Sequence, residues 1–227
     1  MRWKTVMSNP NLQAVPEDAC ARVRQRMVRE QIQDRGIRDE RVLHAMRCVP
    51  REQFVPDHLR DEAHDDCALP LEHGQTISQP FIVGFMTDAL ELRPEDRVLE
   101  IGTGCGYQAA VLSLLAKDVY SIEIVEPLAK EAAARLQRLG YTNVHTRCGD
   151  GRLGWQEEAP FDAVIVTCAP EEVPTPLVAQ LREGGRMMIP VGAPGVQELL
   201  LLTKEDGELR QFKTMQVRFV PMTGEDA

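Results

Sequence analysis

Three closely spaced glycines follow a short apolar run in the middle of the chain and are typical of a loop that approaches a ligand. Residues 98–101 lead directly into Gly102, Gly104 and Gly106. Glycine lets the backbone turn tightly and come close to a bound molecule at the carboxyl edge of a sheet. A tight strand-to-helix turn that binds nothing is the alternative interpretation, because such loops are common.

Two acidic residues, one at the end of the next predicted strand and one after the strand that follows it, would complete a site for an adenosyl ligand. Glu123 lies in the strand predicted at 119–124, where a carboxylate can accept hydrogen bonds from both ribose hydroxyls. Tyr107 stands where a dinucleotide fingerprint has its third glycine, so pyrophosphate binding and a dehydrogenase are disfavoured. Asp150 precedes Gly151 and is suited to bond an adenine amino group. A solvated strand-end carboxylate and an ordinary Asx turn are the respective alternatives.

Ser78 lies just ahead of Pro80, where apolar residues at spacings of three and four predict a helix over 80–92. A serine in this place commonly caps the helix. Its hydroxyl is equally suited to hydrogen-bond an acceptor group, and the two roles are compatible. His64 and His73 precede it without the spacing of paired metal ligands. They are predicted to be ordinary surface or loop residues, with no metal site.

Apolar strands alternate with helical patterns in the second half of the chain, which indicates an α/β fold with a doubly wound, mostly parallel, Rossmann-like sheet. The predicted strands cover residues 97–101, 119–124, 144–147, 161–167 and 186–190, and the predicted helices cover 107–116, 128–139 and 176–181. Gly184-Gly185 is expected to stop the last of these helices. Two further strand-like runs, 198–203 and 209–220, flank Glu205-Asp206-Gly207. This hairpin pattern predicts antiparallel strands at the end of the sheet.

Composition narrows the possible partners and location of the protein. The formal charge is −9, with 35 acidic against 26 basic residues, so we expect no nucleic-acid partner. Six cysteines without a Cys-x-x-Cys pair indicate reduced thiols that are mostly small core residues. The sequence shows neither a signal peptide nor the ~20-residue apolar stretch of a membrane span. We therefore expect a cytoplasmic protein that has no membrane partner.

Several segments together resemble the protein-L-isoaspartate O-methyltransferase family, over about residues 25–223. Residues 74–80, Gly-Gln-Thr-Ile-Ser-Gln-Pro, are the most diagnostic segment, whereas the glycine loop occurs in many methyltransferases. The other matching segments are residues 27–32, 51–56, 99–108, 149–151, 161–167 and 218–223. Cys105 departs from the family pattern, which has serine or another small polar residue there. Its weak S–H donor is expected to alter cofactor contacts only slightly.

The resemblance implies a class I methyltransferase that uses S-adenosyl-L-methionine (SAM) as its methyl donor. The implied substrate is the α-carboxylate of L-isoaspartyl residues in damaged proteins and peptides. The methyl ester would then collapse to a succinimide, which can reopen to normal aspartate. Ser78 matches the family's active-site serine. The residues that match cofactor contacts are Gln75, Thr76, Ile77, Ser78, Gly102, Thr103, Gly104, Gly106, Glu123, Asp150, Gly151 and Thr223.

Methyl transfer to a carboxylate is compatible with the rest of the sequence. An α-carboxyl group has a pKa of roughly 3.3–3.7, so it is ionised at neutral pH and needs no general base. Because the sequence has no evident Ser-His-Asp or Cys-His dyad, positioning and removal of water must contribute most of the catalysis. Ser78 would aim one carboxylate oxygen at the methyl group without becoming a covalent nucleophile. The loop at 168–170 would form a wall of the peptide site.

The predicted organisation has three parts: an N-terminal extension at 1–18, a helical segment at 19–92, and a SAM-binding methyltransferase domain at 93–227. The helical segment is expected to pack on the catalytic domain and to carry the substrate loop. We expect a monomer whose partners are isoaspartyl-containing proteins and peptides. Two alternatives stay open: a methyltransferase for another substrate class, such as small molecules, and a binding module without turnover. Residues 74–80 argue against the first, and intact Glu123, Asp150 and Ser78 argue against the second.

Overall fold

The computed structural model describes residue 15, residues 17–193 and residues 195–224. The helices are α1 (Ala21–Met27), α2 (Glu40–Cys48), α3 (Pro80–Ala89), α4 (Tyr107–Ser113), α5 (Glu126–Arg138) and α6 (Thr175–Gln180). The strands are β1 (Leu69–Pro70), β2 (Thr76–Ile77), β3 (Arg97–Ile101), β4 (Asp118–Glu123), β5 (Val144–Cys148), β6 (Phe161–Val166), β7 (Leu181–Val191), β8 (Gln197–Glu205) and β9 (Glu208–Val217). A π-helical segment, Val28–Gln33, continues α1, and 3₁₀ segments lie at Arg51–Gln53, Asp57–Glu62, Glu72–Gly74, Gly151–Leu153 and Gln156–Glu158.

The main sheet confirms the predicted fold class. Its strands lie in the order β5-β4-β3-β6-β7-β8-β9, and β5 to β7 in this order are parallel. The last two strands pair antiparallel. The chain reverses its direction of winding at β3, which lies between β4 and β6. Doubly wound sheets bind ligands outside the carboxyl ends of the strands at this switch point.

Both faces of the sheet are buried, as the near-continuous apolar strands require. In β3, Val98 belongs to one hydrophobic cluster, whereas Leu99 and Ile101 belong to the other. The first cluster also contains Met46 of α2 and Met86 of α3. The N-terminal helices therefore share a core with the sheet. The predicted boundary between the helical segment and the methyltransferase domain, at residues 92 and 93, stays a prediction. Most of the predicted extension at 1–18 lies outside the described residues.

The predicted stop at Gly184-Gly185 is wrong. Strand β7 begins at Leu181 and runs through both glycines. A Cβ atom at Gly185 would lie 2.8 Å from the carbonyl oxygen of Arg182 and 3.0 Å from that of Asp162. Glycine at this position therefore permits a close approach between the backbones of β6 and β7. The glycine pair therefore lies within a long strand, at the place where the register between β6 and β7 shifts between Leu181 and Arg186.

The antiparallel end of the sheet agrees with the predicted hairpin, except that its last strand ends earlier than expected. Asp206 and Gly207 form its turn with φ angles of 54° and 79°. Strand β9 ends at Val217, so the strand predicted as far as residue 220 is too long. Residues 218–224, which we call the C-terminal strap, leave the sheet.

The cysteines are only partly as predicted. All six are free thiols, and Cys48 and Cys105 are buried, as expected of small core residues. Cys67 and Cys148 are exposed, so the prediction of core cysteines is wrong for them. Cys67 lies just before the short strand β1, and Cys148 is the last residue of β5. At both places the apolar pattern is too brief to predict whether a side chain is buried.

His64 lies in a turn, which agrees with its prediction as a surface or loop residue, but its side chain is buried. Its side chain lies 3.3 Å from the Glu52 carboxylate, and Gln31 donates a hydrogen bond of 2.7 Å to its carbonyl oxygen. His73 is exposed, as predicted. Within the described ranges, no group of three or more His, Cys, Asp or Glu residues is placed to hold a metal ion. In the same ranges, no helix has the length and apolar character needed to cross a membrane.

Candidate active site

A cleft of about 560 Å³ opens at the carboxyl ends of β3, β4 and β6, and we call it the edge cleft. It lies at the point where the chain reverses its winding, which is the ligand site expected for this type of sheet. The predicted site residues that line it are Gln75, Thr76, Gly102, Gly104, Glu123, Gly151 and Thr223. The sheet therefore brings together residues from five separate segments of the chain.

The glycine loop needs glycine for two different reasons. Gly102, Gly104 and Gly106 all have positive φ angles, of 93°, 54° and 91°. A Cβ atom at Gly102 would also lie only 2.5 Å from Thr167 Oγ1, and one at Gly106 would lie 3.2 Å from Leu136. Backbone conformation and close packing thus exclude larger side chains at the first and last of these positions.

The glycine loop is held in place by hydrogen bonds from neighbouring elements. The backbone N–H groups of Gly102 and Thr103 donate to the carbonyl oxygen of Ile122, at 2.8 and 3.2 Å. On its outer side, Arg135 Nη1 donates to the Cys105 carbonyl oxygen at 2.9 Å. Cys105 itself is buried, and burial raises the pKa of its thiol. A neutral, packed Cys105 side chain, at the position where the family pattern has serine or another small polar residue, is compatible with an intact loop.

Glu123 lies at the floor of the edge cleft and is fixed by the backbone. Its Oε2 accepts a hydrogen bond of 2.8 Å from the Gly104 N–H, and its Oε1 accepts one of 3.0 Å from the Val125 N–H. Because a carboxylate has about four acceptor sites, each oxygen can accept another hydrogen bond. Glu123 can therefore bind the two hydroxyls of a ribose while it remains attached to the glycine loop.

A buried polar chain beneath the loop was not predicted. Glu100, fully buried on β3, accepts a hydrogen bond of 2.5 Å from Ser121 Oγ, which lies 2.6 Å from Thr103 Oγ1. Burial raises the pKa of Glu100 to about 8, although the Ser121 hydrogen bond lowers it. A pKa of about 8 keeps most of the Glu100 carboxyl protonated at pH 7. An acidic residue inside an apolar strand was the signal that could have revealed this chain.

Asp150 adopts the Asx geometry that was its alternative interpretation. Its Oδ1 accepts a hydrogen bond of 2.8 Å from the Arg152 N–H, and its Oδ2 lies 2.7 Å from the Arg152 guanidinium. The next residue, Gly151, lines the edge cleft, and a Cβ atom there would lie 2.3 Å from Ile101. The structure places Asp150 beside the cleft, and its contact with a cofactor stays a prediction.

Ser78 lies in a second pocket, of about 340 Å³, that we call the inner pocket. Ile77, Thr103 and Tyr107 also line it. The capping interpretation of Ser78 is wrong, because Gln79 occupies the N-cap position of α3. Across the part of the chain that the structure describes, no hydrogen bond to the Ser78 hydroxyl is formed, so this hydroxyl is available to a ligand.

A third depression, of about 710 Å³, extends outward from Ser78, and we call it the outer groove. Residues 216–219 form one wall of it, and Gln79 and Ile82 belong to the other. Thr76 lines the edge cleft, the inner pocket and the outer groove. The segment around Thr76 and Ser78 is therefore the junction of all three spaces.

The C-terminal strap closes one side of the edge cleft. Ala169 donates a backbone hydrogen bond to Val220 and accepts one from Met222, both of 2.8 Å. The buried Gln197 side chain accepts from the Phe219 N–H at 2.6 Å and donates to the Phe219 carbonyl oxygen at 3.1 Å. These contacts between residues far apart in the sequence place the end of the strap against the edge cleft.

Some residues of the edge cleft were not among the predicted cofactor contacts. Thr167 and Cys168 follow β6, and they line the edge cleft together with residues 220–222. Cys168 was expected in a wall of the peptide site. It lines the edge cleft, whereas the outer groove beside Ser78 is lined by other segments. Burial raises the pKa of the Cys168 thiol to about 12, so it is not a nucleophile at neutral pH. Its position after a parallel strand was the signal that placed it at this edge.

Residues 22–227 match the family described as protein-L-isoaspartate(D-aspartate) O-methyltransferase. A protein-L-isoaspartate O-methyltransferase of Opitutus terrae is 56% identical over 213 residues, covering 93% of this chain and 91% of that protein. One from Picosynechococcus is 51% identical over 207 residues, covering 91% of this chain and 93% of that protein. A third, from Pelobacter propionicus, is 50% identical over 226 residues and covers 99% and 98% of the two chains.

Solved structures show the same fold. A protein-L-isoaspartate O-methyltransferase has a TM-score of 0.81 at 31% identity, covering 88% of this chain and 66% of that chain. The structure of a Plasmodium falciparum protein described as a putative member of that family, in complex with S-adenosyl-L-homocysteine, has a TM-score of 0.78 at 24% identity. That match covers 88% of this chain and 98% of the other.

Proposed function

This chain belongs to the protein-L-isoaspartate(D-aspartate) O-methyltransferase family, and we propose that its edge cleft binds SAM while Ser78 receives the acceptor carboxylate. The enzyme transfers a methyl group from SAM to the α-carboxylate of L-isoaspartyl residues in proteins and peptides. The resulting ester starts repair through a succinimide. The assignment of individual residues to these steps is our proposal.

The residues of the edge cleft fit an adenosyl cofactor. Gly102 avoids the collision that a Cβ atom would have with Thr167, so the loop can keep its course along the cleft. Glu123 would hold the ribose hydroxyls, and Gly151 would lie beside the adenine, whose amino group Asp150 would bind. Thr223 would cover the cofactor from the strap. When bound, SAM supplies an electrophilic methyl group on a positively charged sulfur.

The acceptor side requires orientation more than proton transfer. The α-carboxylate is already ionised at neutral pH, since its ordinary pKa is roughly 3.3–3.7. The Ser78 hydroxyl would donate a hydrogen bond to one carboxylate oxygen and leave the other free to attack. Ile77 and Thr103, together with Thr76 and Gln75, would form the walls between cofactor and substrate and exclude water. Such positioning contributes about 7–11 kcal/mol in favourable cases.

The observation that carries this proposal is the position of the segment around Thr76 and Ser78. It borders the edge cleft, the inner pocket and the outer groove at once. A methyl donor in the edge cleft and a peptide in the outer groove would therefore meet at Ser78.

The deciding experiment is a methyl-transfer assay on two peptides that differ only in one L-isoaspartyl or normal aspartyl linkage. We expect labelling of the isoaspartyl peptide alone. Equal labelling of both would support a methyltransferase of another substrate class. Cofactor binding in calorimetry without any turnover would support a binding module instead.

We predict that Ser78→Ala lowers kcat by about tenfold while the cofactor Kd stays within about twofold, because one hydrogen bond to the carboxylate is lost. Steady-state kinetics with the isoaspartyl peptide and calorimetry with S-adenosyl-L-homocysteine measure the two effects. Ser113→Ala is the control, because the hydroxyl of this buried serine donates to the Ala110 carbonyl oxygen within α4. Unchanged turnover together with weakened cofactor binding would contradict the assigned role.

We also propose that the enzyme acts as a monomer in the cytoplasm, without a nucleic-acid or membrane partner. Residues of one chain line the edge cleft, the inner pocket and the outer groove, which supports a site complete in one copy. The formal charge of −9 disfavours nucleic acid, and the exposed thiols Cys67 and Cys148 suit a reducing compartment. Light scattering at several concentrations tests the monomer, and cell fractionation tests the compartment.

A further inference from the structure

Two arginines of the N-terminal segment have completely buried side chains, but only one of them has a counter-ion. Arg24 Nη1 lies 3.0 Å from a Glu52 oxygen, and Arg24 Nη2 lies 2.8 Å from Asp18. Its Nε also donates to the Arg47 carbonyl oxygen at 2.8 Å. The charge of Arg24 is thus neutralised inside the protein, as is usual for a buried ion.

Arg51 is equally buried and is bound only by neutral groups. Its Nε donates to the Ala63 carbonyl oxygen at 2.7 Å, and its Nη2 donates to the Ser78 carbonyl oxygen at 2.8 Å. Its Nη1 is buried without a hydrogen-bond partner. Among the described residues no carboxylate lies within ion-pair distance of its guanidinium, since the neighbouring Glu52 faces Arg24 and His64. The protein therefore keeps an uncompensated positive charge directly behind Ser78.

The position of this charge relates it to the inner pocket. The guanidinium carbon of Arg51 lies 4.8 Å from the centre of the Tyr107 ring. Tyr107 and Ser78 both line the inner pocket, so Arg51 lies behind its wall and is bonded to the backbone of one lining residue. A ligand that enters this pocket with a negative charge would supply the missing counter-charge through a low-dielectric wall.

We propose that Arg51 is a positioning residue for the acceptor: it fixes the backbone of Ser78 and favours an anionic over a neutral group in the inner pocket. This inference rests on the proposed role of Ser78. It also predicts that the site distinguishes substrate from product, because methylation converts the anionic carboxylate into a neutral ester. Arg51 should therefore hold the substrate more strongly than the methylated product.

The two effects of Arg51 should appear in different kinetic constants. The carboxylate loses charge as it attacks, so a fixed positive charge stabilises the bound substrate more than the transition state and acts mainly on KM. The hydrogen bond to the Ser78 carbonyl oxygen orients the hydroxyl and acts mainly on kcat. A lysine at this position would keep the charge but would not match the two-carbonyl geometry of a guanidinium.

The experiment compares wild type with Arg51→Met and Arg51→Lys, using the isoaspartyl peptide as substrate. A peptide whose α-carboxylate is replaced by a neutral carboxamide serves as a competitive inhibitor. For Arg51→Met we expect the KM of the carboxylate peptide to rise about tenfold or more, while the Ki of the carboxamide changes by no more than about twofold. For Arg51→Lys we expect KM close to wild type and kcat lowered about tenfold.

Arg24→Met is the matched control, because it removes an equally buried arginine that already has counter-ions. It should lower the free energy of unfolding but leave the ratio of carboxylate to carboxamide affinity unchanged. Calorimetry with S-adenosyl-L-homocysteine checks that each variant keeps its cofactor site. If Arg51→Met does not fold, Arg51→Lys decides alone: a wild-type kcat, or a lost preference for the anion, contradicts the proposal.

The inference is overturned if Arg51→Met weakens both ligands equally, since that is the result of a purely structural role, or if its kinetics equal those of wild type. Its failure differs from a failure of the proposed function. The wild-type enzyme must first label the isoaspartyl peptide and not its aspartyl counterpart, and Arg51 is tested only against that activity.

Discussion

At the residue scale, Gly102 shows how closely the glycine loop is built against its neighbours. We predict that Gly102→Ala weakens cofactor binding by at least about tenfold. The new Cβ atom would lie 2.5 Å from Thr167 Oγ1 at a φ of 93°, so the loop must shift. Calorimetry with S-adenosyl-L-homocysteine measures the loss.

Gly140→Ala is the control for this substitution. Gly140 also has a positive φ, of 84°, but no atom lies within 4 Å of its added Cβ. We expect it to lose about 1 kcal/mol of stability with an unchanged cofactor Kd. Equal cofactor binding by wild type and Gly102→Ala would show that the loop adapts without cost.

Glu100 predicts a dependence of stability on pH. Burial raises its pKa from the ordinary 4.5 to about 8. Between these values the folded chain keeps a proton that the unfolded chain has lost, so stability falls as pH rises and levels off above about 8. Glu100→Gln should remove this contribution, which is on the order of 5 kcal/mol for a rise from 4.5 to about 8.

The measurement is urea unfolding of wild type and Glu100→Gln at pH 5, 7 and 9. The free energy of unfolding of the variant, relative to that of wild type, should increase from pH 5 to pH 7 and again from pH 7 to pH 9. If the stability of the two proteins depends on pH in the same way, Glu100 is already ionised at neutral pH in the folded protein. It would then have a partner other than Ser121.

At the element scale, Gln197 tests whether the C-terminal strap belongs to the cofactor site. Gln197→Leu leaves the Phe219 N–H and carbonyl groups without their partners, which costs about 1–3 kcal/mol for a buried group. We expect the strap to detach more often and the cofactor Kd to rise about tenfold, because residues 220–223 line the edge cleft. Calorimetry and hydrogen exchange of the strap amides measure the two effects.

Asn143→Leu provides the comparison for this element. Asn143 also bonds backbone carbonyls, including that of Ser113 at 2.9 Å, but it precedes β5 at the opposite edge of the sheet. It should lose similar stability and keep the wild-type cofactor affinity. If both variants bind the cofactor equally well, the strap does not contribute to the site.

At the scale of the whole molecule, we predict that the described chain unfolds in one cooperative transition. One hydrophobic cluster joins Met46 and Met86 of the N-terminal helices to Val98 and Ile165 of the sheet. Residues 93–227 alone would expose that face and should not fold. Urea unfolding followed by circular dichroism and by tryptophan fluorescence should give coincident midpoints.

Two separate transitions would instead show that residues 19–92 form an independent unit. A soluble, folded fragment of residues 93–227 would lead to the same conclusion. Either outcome would change the interpretation of Arg51, because its link to Ser78 would then cross between two units that can separate.

The sequence by itself determined the features that depend on neighbouring residues. Alternating apolar runs and helical spacing gave the order of strands and helices, and the glycine loop with Glu123 predicted a ligand at the carboxyl edge. The family segment at 74–80 gave the acceptor. These signals are local, because side-chain periodicity and backbone conformation are set within a few residues.

Only the tertiary structure decided which distant residues meet. Strand β7 extends through the predicted glycine stop, although its register with β6 shifts there, and the contacts of Gln197 and Ala169 hold the last residues away from the sheet. The burial of Arg51 without a counter-ion likewise depends on elements that approach one another only after folding. Such contacts join groups far apart in the chain, and no pattern of neighbouring residues specifies them.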